Sequence, residues 1–226
     1  MAARTARGGE YRRALIEAAA RAFDTGGYAA ASCRQIATAA GTDLAVLTSQ
    51  FRRKDDLALA VVVEQNRRMV ATLDRALLRH GPLEALIHGS REIADQMLGA
   101  DPTVRAGVRL TMELGPFDEA VAEQYRGWIE HVSGLFARAQ EAGDVSDRLD
   151  PGELGATFVP YFTGVHTMSA VLTGRADLYA RLAVMWRTLI DAAAPLGRRI
   201  GLHTVTRDAF GEQAVSGEIR VVAGAA

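Results

Sequence analysis

The chain predicts an all-α fold, with three helices in a basic head and about six in an acidic body. Three observations carry this prediction. Apolar residues recur at three- and four-residue spacing in nearly every segment. Gly, Pro and Asp stand where helices end and begin. Neither convincing strand alternation nor an internal repeat is present.

Residues 1–9 read as a mobile, small-residue arm bearing Arg4 and Arg7. Residues 10–25 place Tyr11, Leu15, Ala18, Ala22 and Phe23 on one helical face, which Gly26-Gly27 closes. Residues 31–57 are the most organised stretch. Ser32 followed by Gln35 has the form of a capping box, the serine oxygen accepting an N–H of the first turn while Gln35 reaches back. Gly41 stands where a left-handed residue ends that helix, and Asp43 is placed as N-cap of a second helix running to about Phe51. Two short helices joined by a tight glycine turn make a helix-turn-helix, whose second helix enters the major groove. Thr42, Asp43, Leu44, Ala45, Thr48 and Ser49 are then expected to face DNA, with Ser32 and Arg34 beside them and Gln50, Arg52, Arg53 and Lys54 at the backbone. Leu47 and Phe51 point the other way.

A long helix follows from Lys54 to about Arg79, with Asp55 and Asp56 at its positive end and Leu57, Val61, Leu73 and Leu77 apolar. Gly81-Pro82 breaks the chain before a helix over residues 83–98. Asp101-Pro102 starts another, which Gly115-Pro116 stops. Residues 118–142 carry Val121, Tyr125, Trp128, Val132, Leu135 and Phe136 along one side. Asp150-Pro151-Gly152-Glu153 opens the next helix, and Pro160 should kink it. Its 21 residues from 154 to 174 hold no formal charge, yet glycine, proline, histidine and hydroxyl residues interrupt them, which suits a buried helix better than a membrane span. Residues 177–193 form the last clear helix. Residues 195–226 read as a weakly ordered tail, with at most a helical turn. The expected division is a head at 1–54, a ligand-binding and dimerisation body at 55–194, and the tail.

The net charge of −1 conceals an asymmetry. Residues 1–54 hold nine basic and four acidic residues, a net of +5, against 17 and 23, or −6, in the remainder. A basic first quarter on an acidic body points to a polyanion partner for that quarter alone. Cys33 is the single cysteine, which excludes an intramolecular disulfide and a cysteine-based zinc site and fits a reducing cytoplasm. His80, His88, His131, His166 and His203 do not pair at metal-ligand spacing, and no nucleotide-binding or hydrolase motif is present. No cofactor and no enzymatic activity are expected; an all-helical enzyme assembled from distant residues is the remaining alternative.

The run from Ala19 and Phe23 through Gly27-Tyr28, Ile36-Ala37, Ala40-Gly41, Leu47, Phe51 and Lys54 to Leu57 resembles the DNA-binding head of TetR-family transcriptional repressors. The body resembles the γ-butyrolactone receptor subgroup in LAVVVEQ (59–65), DPTVRAGVRL (101–110), YRGWI (125–129) and AVMWRTLI (183–190). The resemblance implies a cytoplasmic homodimeric repressor, released from a palindromic operator when a small apolar, γ-butyrolactone-like molecule fills the body. It assigns ligand contact to Trp128, Gln65 and Thr163, and dimerisation to the helices around 153–173 and 177–193. Tyr125, Phe158, Phe162 and Met112 recur at helical spacing and read as ordinary core without the resemblance. The polar residues among them, His166 included, make them candidate ligand-binding residues. A regulator answering to an antibiotic, a biosynthetic intermediate or a drug is the alternative. The family has Gly, Tyr and His where this chain has Ala45, Thr48 and Gln50, and often Ser at Arg53. Those changes remove phosphate contacts that Arg52 and Arg53 can replace.

Overall fold

The computed structural model describes residues 2–114 and 118–211. Among them are ten α-helices and no strand: α1 Ala2–Ala30, α2 Cys33–Ala39, α3 Leu44–Gln50, α4 Lys54–Leu77, α5 Pro82–Leu98, α6 Thr103–Leu114, α7 Glu119–Glu141, α8 Pro151–Thr173, α9 Leu178–Ala193 and α10 Leu196–Phe210. The chain divides into two compact units, Met1–Met69 with Gly99–Arg126, and Val70–Leu98 with Gly127–Ala226. Helix α4 contributes residues to both, as does α7.

The first unit is built on α1. Leu15, Ala18 and Phe23 pack with Ile36 of α2, Leu47 of α3, Phe51, and Leu57 and Val61 of α4, and Leu110 and Val121 complete the cluster. Each of the larger side chains contributes about 1.5–3 kcal/mol by leaving water. Tyr11 departs from expectation, because its side chain stays exposed on the outer face of α1. Gly27 interrupts α1 with φ 75° and ψ 179°, a left-handed backbone that ends the regular helix where Gly26-Gly27 marks its end in the sequence.

Helix α6 fastens that end of α1. Arg105 Nη2 donates to Asp24 Oδ2 at 2.9 Å, Arg109 Nη1 to the Asp24 carbonyl at 2.9 Å, and the Tyr28 N–H to Glu113 Oε2 at 2.6 Å. A side chain on residue 27 would meet Arg109 Nη2 at 2.6 Å. The Tyr28 hydroxyl donates to Asp55 in the first turn of α4. Burial, and then this bond, push the Tyr28 phenol up to about 12, and the same bond is the largest influence holding the Asp55 carboxyl below its ordinary value.

The second unit packs Leu86, Ile87 and Ile93 of α5, Val132, Leu135 and Phe136 of α7, Phe158 and Phe162 of α8, and Leu182, Met185 and Trp186 of α9, all buried. Trp186 is fully enclosed, and its indole N–H donates to Ser90 Oγ at 2.7 Å. The Asp150 carboxylate caps α8 by accepting the Glu153 N–H at 2.9 Å, with proline following, as the sequence indicates. α8 runs on through the exposed Pro160 as one element.

Three expectations are corrected. The region read as a patternless arm is helical from Ala2, consistent with the high helix propensity of its Ala and Arg residues. The region read as a weakly ordered tail carries α10, a helix of 15 residues. Its buried face is the narrow set Leu202, Thr206, Ala209 and Phe210, diluted by glycines and exposed arginines, so no strong periodicity shows. Arg91 Nη1 ties it down by donating to the Ala209 carbonyl at 2.8 Å. Thirdly, Ser32 has the extended backbone of an N-cap, but its hydroxyl makes no capping bond. The stop expected at Gly115-Pro116, and residues 212–226 of the tail, lie outside the described residues.

Trp186→Ala should lower stability by about 3–5 kcal/mol through a cavity and a lost hydrogen bond, measured from denaturant midpoints. Tyr28→Phe should cost about 1 kcal/mol near neutrality, since the pair it removes is partly exposed. Because Asp55 titrates low when folded, its share is present above the unfolded carboxyl value and is lost as pH falls through the folded one. Because Tyr28 titrates high, its share is present below about pH 10 and is lost as pH rises toward about 12. The gap between wild type and variant should therefore be widest at intermediate pH and close at both extremes; a flat gap would show that the bond contributes nothing.

Candidate functional site

The α2–α3 turn is shaped by two residues. Gly41 adopts φ 70°, reversing the chain after α2 with no steric penalty, and Asp43 Oδ1 accepts the Val46 N–H at 2.8 Å to start α3. Leu47 and Phe51 are 2% and 3% exposed, so α3 is held against α1 by its inner face. Its outer face is open to solvent: Asp43, Ala45, Thr48 and Ser49 are exposed, and Thr42, Leu44 and Gln50 are partly so. The Thr48 hydroxyl donates to the Leu44 and Ala45 carbonyls at 3.0 Å each, and Ser49 Oγ to the Val46 carbonyl at 2.7 Å. Both hydroxyl protons are thus committed to the helix itself.

The cations around this face differ in their commitments. Arg34 and Arg52 are exposed and form no ion pair among the described residues. Arg53 pairs with Asp55. Lys54 donates to the Ala29 carbonyl at 3.4 Å and lies 4.4 Å from the centroid of the Tyr28 ring. Ser32 sits half-buried at the start of α2. Arg12, absent from the sequence-based set, reaches the end of α3: it donates to the Gln50 carbonyl at 3.4 Å and stacks 4.4 Å over the Phe51 ring. Nothing local in the sequence signals that contact, because the two residues are 38 positions apart.

The candidate ligand residues divide between the units. In the first, Gln65 is buried and its amide donates to Met69 Sδ at 2.6 Å, Tyr125 is half-buried, and Met112 is half-exposed. In the second, Phe158 and Phe162 stack along the inner face of α8 with ring centroids 6.0 Å apart, and His166 meets Phe162 edge-on at 5.4 Å. Phe136 of α7 and Trp186 of α9 close on Phe158 at 5.8 and 5.2 Å. Trp186, read from sequence only as a core residue of its helix, is thus a member of this aromatic column. Trp128 is buried, its ring parallel to that of His131. Thr163 is half-buried. Burial, aided by the charge of Arg175, lowers His166 to about 4, so its imidazole is neutral at neutral pH.

The fold also brings together two histidines that sequence spacing does not pair. His80 and His88 stack at 4.1 Å, and burial, then the charge of His80, lowers His88. Among the described residues no group of three or more His, Cys, Asp or Glu side chains could hold a metal ion, and no helix is long and apolar enough to cross a membrane.

Residues 15–61 match the bacterial regulatory proteins of the tetR family. Over 195 residues the chain is 30% identical to the A-factor receptor protein of Streptomyces griseus, a match covering 86% of this chain and 68% of that one. A crystal structure of a γ-butyrolactone receptor, an ArpA-like protein, is similar over 90% of this chain and 98% of its own, with 26% identity and a TM-score of 0.70. The TetR-family protein CprB of Streptomyces coelicolor, solved in complex with its biological operator sequence, is similar over 89% of this chain and 97% of its own, with 29% identity and a TM-score of 0.68. With its helix-turn-helix built on α1 and its relatives matched along most of its length, this chain belongs to the tetR family of bacterial regulatory proteins, in the group of the A-factor and γ-butyrolactone receptors.

Proposed function

We propose that this chain is a ligand-responsive repressor that binds a palindromic operator as a homodimer and leaves it when a small γ-butyrolactone-like molecule binds. The observation that carries the reading is the α2–Gly41–Asp43–α3 turn, which seats α3 by Leu47 and Phe51 and leaves its opposite face open between the exposed Arg34 and Arg52. Thr42, Asp43, Leu44, Ala45, Thr48 and Ser49 face the bases, while Ser32, Arg34, Gln50, Arg52, Arg53 and Lys54 serve the backbone. The head is residues 1–54, and the body from 55 to 194 binds ligand and dimerises. Such a regulator works in the cytoplasm and catalyses no reaction.

Ligand contact is assigned to Trp128, Phe158, Phe162, Thr163 and His166 in the second unit. The neutral His166 and the half-buried Thr163 can orient a lactone among apolar rings, since such sites need few polar groups. Dimerisation is assigned to α8 and α9. Pro160, Tyr161, Gly164, Val165 and Met168 of α8 line an apolar groove of about 380 Å³ with Val184 and Arg181 of α9, and Val171 is 70% exposed on the same helix as Met168. A dimer must set its two recognition helices about one helical turn of DNA, or a multiple, apart, so a ligand favouring a different spacing of the heads releases the operator. A coupling of about 1–3 kcal/mol is sufficient.

The direct test is a gel shift of the full-length protein on DNA from upstream of its own gene, with and without a synthetic alkyl-substituted γ-butyrolactone. A shifted band that the lactone releases is expected. A band that no lactone disturbs would assign another effector, and no band at low salt would overturn the repressor reading. Replacing Arg52, Arg53 and Lys54 together by alanine should weaken every duplex similarly and reduce the salt slope by about 0.9 for each phosphate that is no longer neutralised. Trp128→Ala should abolish release, removing a coupling of roughly 5–150-fold, while operator affinity stays unchanged. Equal loss of both would sink the division between head and body.

A further inference from the structure

Between Arg34 and Arg52 the chain carries one formal charge, the carboxylate of Asp43. It stands exposed on the open side of the α2–α3 turn. One oxygen, Oδ1, accepts the Val46 N–H at 2.8 Å; the other has no partner among the described residues, and no cation among them pairs with the group. Its neighbours on the same face are neutral: Leu44 and Ala45 carry no polar side-chain atoms, the Thr48 and Ser49 protons are spent on helix carbonyls, and Thr42 and Gln50 carry groups that can both donate and accept, so Asp43 is the one side chain there that only accepts. A capping bond alone asks for no charge, because serine, threonine or asparagine would serve as well. A carboxylate carried into a groove walled by phosphates is repelled unless an amino group meets it there.

Of the base edges in the major groove, cytosine offers a lone amino donor at N4, whereas adenine sets the N7 acceptor beside its N6 amino group and guanine offers acceptors only. A carboxylate that cannot donate is matched by the first, meets an acceptor beside the donor in the second, and is rejected by the third. Resting on the operator reading above, we propose that Asp43 is a specificity-determining residue of this regulator, its free oxygen accepting from the N4 amino group of one cytosine in each operator half-site. The same side chain then does two things at once: Oδ1 starts the recognition helix and Oδ2 reads the base.

The test is selection of bound duplexes by the full-length protein from a library of inverted repeats with randomised half-sites, repeated with Asp43→Ser and Asp43→Asn, both of which keep an N-cap. Wild type should enrich a cytosine at one position of each half-site, with guanine there bound roughly 10-fold more weakly. Asp43→Ser should lose the preference at that position alone. Asp43→Asn, whose oxygen stays on the Val46 N–H and whose amide sets donors where the free oxygen stood, should turn the preference away from cytosine toward an accepting edge, guanine first. An enriched half-site whose profile is the same in wild type and Asp43→Ser would overturn the inference and leave the repressor reading standing. If wild type enriches no duplex at low salt, the operator reading fails and this inference falls with it.

Discussion

The geometry of the head depends on one short stretch of backbone, residues 24–28, where α1 ends. Gly27 takes a left-handed conformation there, and the space a side chain would fill is occupied by the guanidinium of Arg109 and the carboxylate of Glu113. Three side chains of α6 bind the surrounding groups: Arg105 the Asp24 carboxylate, Arg109 the Asp24 carbonyl, and Glu113 the Tyr28 N–H. These are charge-assisted bonds, stronger and more directional than neutral ones. Tyr28 then passes the connection to Asp55 at the start of α4. Because α2 and α3 pack on α1, whatever positions the end of α1 positions the recognition helix.

Charge in the head is divided between holding and reaching. Lys54 and Arg53 are engaged with Ala29, Tyr28 and Asp55, so they help set the α1–α4 junction before any polyanion arrives. Arg34 and Arg52 are exposed, and in the proposed complex their charge replaces counterions on phosphates. The recognition helix between them is nearly neutral. Affinity in such an arrangement comes from the flanks, and discrimination from the few polar atoms of the helix that its own backbone has not already used.

The second unit follows a different logic. Its aromatic column, Phe158, Phe162 and His166 joined by Phe136 and Trp186, is dense, buried and almost without charge. Burial keeps His166 neutral, so the imidazole can donate and accept without a desolvated charge. At the other end of α8, Asp177 accepts from Ser169, Thr173 and Arg181, which together hold its carboxyl below the ordinary value against the opposing effect of burial. This polar cluster gathers at the helix end, while the rings occupy the interior.

How much is legible in the chain depends on the range of the interaction involved. The all-α class, the helix-turn-helix at residues 31–51, the left-handed Gly41, the Asp43 and Asp150 caps and the burial of Leu47 and Phe51 are all readable, because each arises from neighbours within a turn or two of helix. Helix α10 is hidden, since its buried face is narrow and interspersed with glycine. Ser32 misleads, because a residue can fit the capping pattern without making the bond. What only the tertiary structure decided is the long-range pairing: Arg12 with the end of α3, Arg105 and Arg109 with the end of α1, Tyr28 with Asp55, and the rings of α7, α8 and α9 with one another. Helical periodicity states which face of a segment is apolar, but not which other face it meets; that choice is made when the helices pack and every buried polar group must find a partner.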